Sequence, residues 1–170
     1  MFNISNIKIS IKISSIYTDD LIKSIEKNLI SYKVTSKYII VRSDFTYIIS
    51  KTRNNTLNHI NITKIKNFDE IQLSIHHLQS NVLKELDFKI NHLSIDNISA
   101  SYDLKHFVDL RQICENNPQK VRYNNEKFPG LFLRLEKSTL LIFHTGKVNS
   151  VGCKTLKDLI EAFSKLIKLF

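Results

Sequence analysis

Glycine and proline are scarce in this chain, with three glycines and two prolines in 170 residues. Long glycine-rich or polyproline linkers are therefore excluded. Cysteine is equally thin: Cys114 and Cys153 are too few for a disulfide framework and lack metal-ligand spacing. Both are expected as small buried or half-buried residues. No apolar run approaches the roughly 18 residues of a membrane span. The stretch Met1–Lys12 interrupts its apolar residues with Asn, Ser and Lys, unlike a signal peptide. These absences lead to the expectation of a soluble intracellular protein with no membrane partner. Catalytic constellations are missing too. No Ser/His/Asp or Cys/His arrangement stands in a motif, no glycine-rich phosphate loop exists, and the carboxylates are scattered. His76-His77 lies in a predicted helix without an acidic or cysteine partner at ligand spacing, and reads as a surface pair. No enzymatic activity, metal or cofactor is expected.

What the chain does have is apolar content for a core, at 42% hydrophobic and 24% charged residues. It also has a formal charge of +9, from 25 basic and 16 acidic residues. That balance favours a polyanionic partner, nucleic acid first. Residues 1–84 carry 12 basic and 6 acidic side chains and residues 85–170 carry 13 and 10. The cations are thus distributed over both halves, not gathered in a tail or on one amphipathic helix, which argues against membrane-surface binding.

Periodicity gives the element order. Ile7, Ile9, Ile11 and Ile13 alternate with polar residues, the mark of a half-buried strand. Thr18-Asp19-Asp20 predicts an N-cap, followed by Leu21, Ile22, Ile25 and Leu29 at helical spacing. Strands are predicted over 38–41, 45–49 and 59–65, with turns at Arg42-Ser43-Asp44 and Asn54-Asn55, and a helix from Phe68 to Val82. The second half repeats this order. A strand is predicted over 88–101, a short helix or two over 104–113, and strands over 131–135, 140–143 and 148–151. A last helix starts at Thr155, with Leu156, Leu159, Ile160, Phe163, Leu166 and Ile167 as its apolar stripe. The repeat period is near 88 residues, with Ser5-Asn6-Ile7 echoed by Asp96-Asn97-Ile98 and Ile60-Asn61-Ile62 by Val148-Asn149-Ser150. Two tandem units, 1–84 and 85–170, are expected.

One stretch carries a family resemblance: Phe128-Pro129-Gly130-Leu131, Arg134, Leu140-Leu141-Ile142-Phe143-His144-Thr145-Gly146-Lys147-Val148, Gly152-Cys153-Lys154 and Glu161-Ala162-Phe163, preceded by Ile95-Asp96-Asn97-Ile98. It resembles the second repeat of TATA-box-binding proteins over about residues 94–170. The first half is similar more faintly, through Asn6-Ile7, Tyr38 to Val41 and Ile60 to Lys66. The resemblance implies an α+β saddle of two tandem pseudo-symmetric repeats, a curved antiparallel sheet with helices on its convex face. It implies a general transcription initiation factor that binds AT-rich double-stranded DNA by the minor groove. The family is itself the standard case of minor-groove kinking. Carried over residue by residue, Phe128 and Phe143 become wedges between base steps. Asn97 and Asn6 become contacts to minor-groove acceptors, and Leu141 packs on bases. Arg134 and Lys147 face phosphates, and Thr63, Val151, Asn61 and Asn149 lie on the groove surface. Tyr38 and Ser50 stand where the family's first repeat supplies phenylalanines, and Lys8, Asn61, Ser99 and Asn149 replace valines, so this surface is more polar and less symmetric than the family pattern.

Implied partners are other initiation factors, a B-class factor or its equivalent, and RNA polymerase. Homodimerisation of the free protein and its location, the nucleus or a cytoplasmic virus factory or virion, stay open. A rival reading keeps the fold but makes the chain an interaction module that assembles a transcription complex with weak or no DNA bending. An accessory domain of a nuclease or glycosylase is a second rival, disfavoured by the missing catalytic constellation.

Overall fold

The computed structural model describes residues 2–169. The chain forms two compact units, one of residues 6–95 and one of residues 2–5 with 96–169. Each is an antiparallel sheet with helices covering one face.

The N-terminal unit comprises β1 (Asn3–Tyr17, whose first residues fall in the other unit), α1 (Thr18–Lys27), β2 (Tyr32–Val34), β3 (Tyr38–Arg42), β4 (Thr46–Lys51), β5 (Thr56–Ile65) and α2 (Asp69–His77). A wide helical turn, Leu78–Val82, continues α2. The strand order is β2-β3-β4-β5-β1. Alternation decides which side chains go inside: Ile7, Ile9, Ile11, Ile39, Val41, Ile49, Ile60 and Ile62 are fully buried with Leu21 and Ile25 of α1. Each such burial contributes roughly 1.5–3 kcal/mol. Between Lys12↔His59 and Ile16↔Leu57 β1 holds two more residues than β5, so both Ile13 and Ile16 face inward despite their odd spacing. Ser24 Oγ donates to Val82 O at 3.1 Å and ties α1 to the wide turn.

The helix start corrects one expectation. Thr18 is the first helical residue, not the cap, and its Oγ1 donates to Asn55 O at 2.9 Å. Tyr17 occupies the cap position without a side-chain bond, so Thr18 closes the neighbouring turn instead. His76 is exposed, whereas His77 is half-buried. Its Nδ1 lies 2.9 Å from the buried Tyr47 hydroxyl and its ring stacks on Tyr47 at 5.8 Å. Burial raises the Tyr47 phenol above the usual tyrosine range.

The C-terminal unit comprises β6 (Ile90–Asp103, beginning in the other unit), α3 (Leu110–Asn116), β7 (Val121–Arg122), β8 (Gly130–Arg134), β9 (Thr139–Phe143), β10 (Lys147–Cys153) and α4 (Leu156–Ile167). The strand order is β6-β10-β9-β8-β7. Its core sets Ile98, Leu131, Leu133, Leu140, Ile142 and Val148 against Leu159, Ala162, Phe163 and Leu166 of α4. A capping box starts α4: Thr155 Oγ1 accepts from Asp158 N at 3.1 Å and Asp158 Oδ2 accepts from Thr155 N at 3.1 Å. The Thr155 bond, then the Lys137 ammonium at 3.1 Å, holds the Asp158 carboxyl below the usual range. Two expectations change. Residues 104–109 form a loop ahead of α3, because Asp109 caps the helix at Arg111 and Gln112. On α4, Leu156, Ile160 and Ile167 are exposed, so the buried stripe is narrower than its apolar spacing predicts.

Candidate nucleic-acid interface

In each unit the face away from the helices is open, and register shows how alike the two faces are. In the C-terminal unit one row runs Arg122, Phe132, Leu141, Asn149, Ser101. In the N-terminal unit the matching row runs Lys33, Ile40, Ile48, Asn61, Ser10. Both read cation, two apolar residues, asparagine, serine, from the sheet edge inward. In the N-terminal row Ser10 Oγ donates to Asn61 Oδ1 at 3.0 Å. A second pair of rows is Arg134, Thr139, Val151 and Arg42, Thr46, Thr63. A third is Gly130, Phe143 and, beyond the hairpin, Lys147 opposite Asp103, against Tyr38, Ser50, His59, Lys12.

Asn97 and Asn6 hold equivalent bulges. Between Ser150↔Ala100 and Cys153↔Ile98 β10 carries one extra residue, and Gly152 sits there at φ 95°. Its N–H donates to Asn97 Oδ1 at 2.6 Å. Between Ile7↔Ile65 and Ile9↔Ile62 β5 carries one extra residue, and Lys64 at φ 70° donates its N–H to Asn6 Oδ1 at 2.8 Å. A backbone N–H requires an acceptor, so both amides are fixed with oxygen on the bulge and NH2 on the other side. Asn97 Nδ2 spends one hydrogen on Ser99 Oγ at 2.9 Å. Oriented amide donors suit a surface that presents acceptors.

Phe128 and Phe143 come together, with ring centroids 6.0 Å apart, and Phe132 joins them at 5.2 Å from Phe128. Phe128 and Phe132 are 36% and 37% exposed, so two rings of this cluster face solvent. Gly130 lies beneath the pair. A Cβ there would sit 2.7 Å from Phe128 Cε1 and 3.0 Å from Phe143 Cε1, so a larger residue would push the ring edges apart. Phe132 was not among the residues singled out from sequence, although its spacing of two from Gly130 and Arg134 puts it on the same face. Leu141 is half-buried beside it, and Asn149 and Val151 are exposed. Arg134 lines a groove with Lys120, Arg122, Phe132 and Thr139, and no acidic residue contributes to that lining. Lys120, Arg122 and Lys33 lie on or beside the short edge strands, whose two or three residues show no periodicity. Lys147 stands opposite Asp103, whose carboxyl is held below the usual range by hydrogen bonds from Lys105 and by the charges of Lys105 and Lys147. That neighbour offsets the charge of Lys147, whereas no acidic residue joins the lining around Arg134.

Tyr38 requires a correction. Tyr38 pairs with Ser50 as Gly130 pairs with Phe143, so Tyr38 occupies the glycine position and the counterpart of Phe128 is Ser36. An aromatic at position 38 imitates the missing phenylalanine two residues away from its register position.

Residues 92–170 match the sequence family described as transcription factor TFIID, or TATA-binding protein. The C-terminal unit is thus similar in sequence to the TATA-binding-protein family. The TATA-box-binding protein-like 1 of Entamoeba histolytica is 36% identical over 92 residues, covering 52% of this chain and 43% of that protein. The TATA-box-binding protein of Pyrodictium occultum is 44% identical over 77 residues, covering 44% of this chain and 38% of its own length. The chain thus spans less than half the length of these curated relatives. The structure of Methanococcus jannaschii TBP matches 99% of this chain and 97% of its own with a TM-score of 0.78 at 22% identity, which shows an α+β TATA-binding-protein fold for both units. Among the described residues no group of three or more potential metal ligands clusters, and no helix is long and apolar enough to cross a membrane.

Proposed function

We propose that this chain is a general transcription initiation factor that binds AT-rich promoter DNA through the minor groove and bends it. The observation that carries the reading is the pair of bulge-held asparagines, Asn6 and Asn97, each with its amide oxygen occupied. In the minor groove A·T pairs present acceptors alone, whereas G·C adds the guanine amino donor. An amide that can offer donors is matched to the first and opposed by the second. Phe128, Phe132 and Phe143 supply an apolar wedge, and opening a base step costs on the order of a few kcal/mol, recovered through the wider contact of bent DNA. Arg134, with Lys120 and Arg122, supplies phosphate contacts that add affinity without sequence information. Tyr38, Asn61, Thr63 and Lys12 line the corresponding surface of the N-terminal unit.

Recruitment of a B-class factor or its equivalent, and through it RNA polymerase, falls to surfaces outside the DNA face. The exposed Leu156, Ile160 and Ile167 of α4 and the turn 124–127 ahead of Phe128 are available for that role. The alternative, an interaction module with little DNA bending, is favoured by the serines at positions 36 and 50. Titrating AT-rich and GC-rich duplexes by fluorescence anisotropy across a salt series separates the two. AT-selective binding that weakens with salt by roughly 0.9 log units per phosphate contact and per log unit of salt supports promoter binding. Sequence-blind binding that Phe143→Ala does not change would leave the interaction module.

A further inference from the structure

We propose that the duplex is wedged at one end only, by the C-terminal unit, while the N-terminal unit holds its end of the site without opening a base step. This inference rests on the DNA-binding reading above.

The C-terminal cluster depends on three conditions met together: Phe128 before β8, Phe143 at the end of β9, and a residue without Cβ beneath them at Gly130. Register identifies the counterpart of each. Ser36 replaces Phe128, Ser50 replaces Phe143, and Ile40 replaces Phe132. A serine reaches too little distance and carries too little apolar surface to enter a base step. The third condition fails independently, because Tyr38 stands at the glycine position and its side chain begins with the atom that Phe128 and Phe143 exclude at 2.7 and 3.0 Å. Phenylalanines restored at 36 and 50 alone would therefore have to splay apart around Tyr38.

What the N-terminal unit offers in that row is polar. Tyr38 is 42% exposed and leads to Ser50, His59 and the exposed Lys12. Hydroxyl, imidazole and ammonium groups suit phosphate and sugar contacts, which position a duplex without unstacking it. The two ends of a bound site therefore differ, and the kinked end marks the C-terminal unit even on a palindromic sequence.

The test places a single 2-aminopurine at one end step of a palindromic AT-rich duplex and resolves its fluorescence lifetimes in the complex. The protein binds a palindrome in either orientation, so one-ended wedging gives two populations of about equal size, one stacked and one unstacked. Phe143→Ala should convert the whole signal to the stacked form. The triple variant Ser36→Phe/Tyr38→Gly/Ser50→Phe should convert it to the unstacked form. A single unstacked population with the unmodified protein overturns the proposal while leaving minor-groove binding intact. A single stacked population overturns wedging at both ends. Loss of AT-selective binding altogether overturns the DNA-binding reading and this inference with it.

Discussion

In both units an asparagine on the first strand accepts a hydrogen bond from a left-handed bulge residue in the adjacent strand, Asn6 from Lys64 and Asn97 from Gly152. Both place an asparagine between an aliphatic residue and a serine in the middle row, Asn61 and Asn149. They part at the next row. There the C-terminal unit stacks phenylalanines over Gly130, and the N-terminal unit has Tyr38 flanked by serines. The comparison teaches that the bulge-held asparagine occurs in both units, whereas the phenylalanine cluster occurs in the C-terminal unit alone. The asparagine arrangement needs only a bulge and an amide, whereas the cluster needs two rings and room for them to meet over position 130.

The largest break in that comparison comes from Phe143→Ala. Loss of base–aromatic contact is worth roughly 1–3 kcal/mol, so affinity for an AT-rich duplex should fall about 5- to 150-fold and the bend should shrink; Ser50→Ala, at the matching position, should change neither. Anisotropy titration and a fluorescence-detected bend assay check both. Asn97→Asp and Asn6→Asp sharpen it next. Each keeps the acceptor for the bulge N–H but removes the donors and adds a charge, so thermal stability should hold while AT preference drops by about 1–3 kcal/mol in both variants. Unequal losses would show that only one unit reads the groove. Gly130→Ala should separate the rings and weaken bending several-fold with little change in melting temperature, since the clashing atoms are ring edges that can move.

Smaller effects test the scaffolds. Lys64 adopts a left-handed conformation that costs a non-glycine residue roughly 1 kcal/mol, where Gly152 does so freely. Lys64→Gly should therefore raise stability by up to about 1 kcal/mol, less the exposed bond from Lys64 Nζ to Ser43 O, as read by denaturant midpoint. Last, the depressed Asp158 carboxyl makes the α4 capping box pH-dependent. Its contribution is fully present above the unfolded value of about 3.9 and is lost as pH falls through the lower folded value. Acid unfolding should thus be less steep in Asp158→Asn.

The element order was legible because alternation and helical spacing are local: Ile7 to Ile13 and Leu159 to Leu166 declare their inward faces. The phenylalanine pair was legible from the string 128–143. What was not legible depends on register between strands far apart in the chain. The bulge bonds join residues 58 and 55 positions apart, and no spacing rule announces them. That Ser36, not Tyr38, is the counterpart of Phe128 is hidden for the same reason, since only the pairing of Tyr38 with Ser50 locates the glycine-equivalent site. The edge cations Lys33 and Arg122 escaped notice because β2 and β7 are too short to show a period.

The most direct test of the account measures affinity for three duplexes of one sequence frame, with the central steps as A·T, G·C or inosine·C pairs. Inosine removes the guanine amino group from the minor groove and leaves the major-groove edge of guanine in place. With minor-groove recognition, inosine·C should restore binding to nearly the A·T level while G·C binds at least tenfold more weakly. Inosine·C behaving like G·C would contradict it, because recognition would then not pass through the minor-groove edge proposed for Asn6 and Asn97.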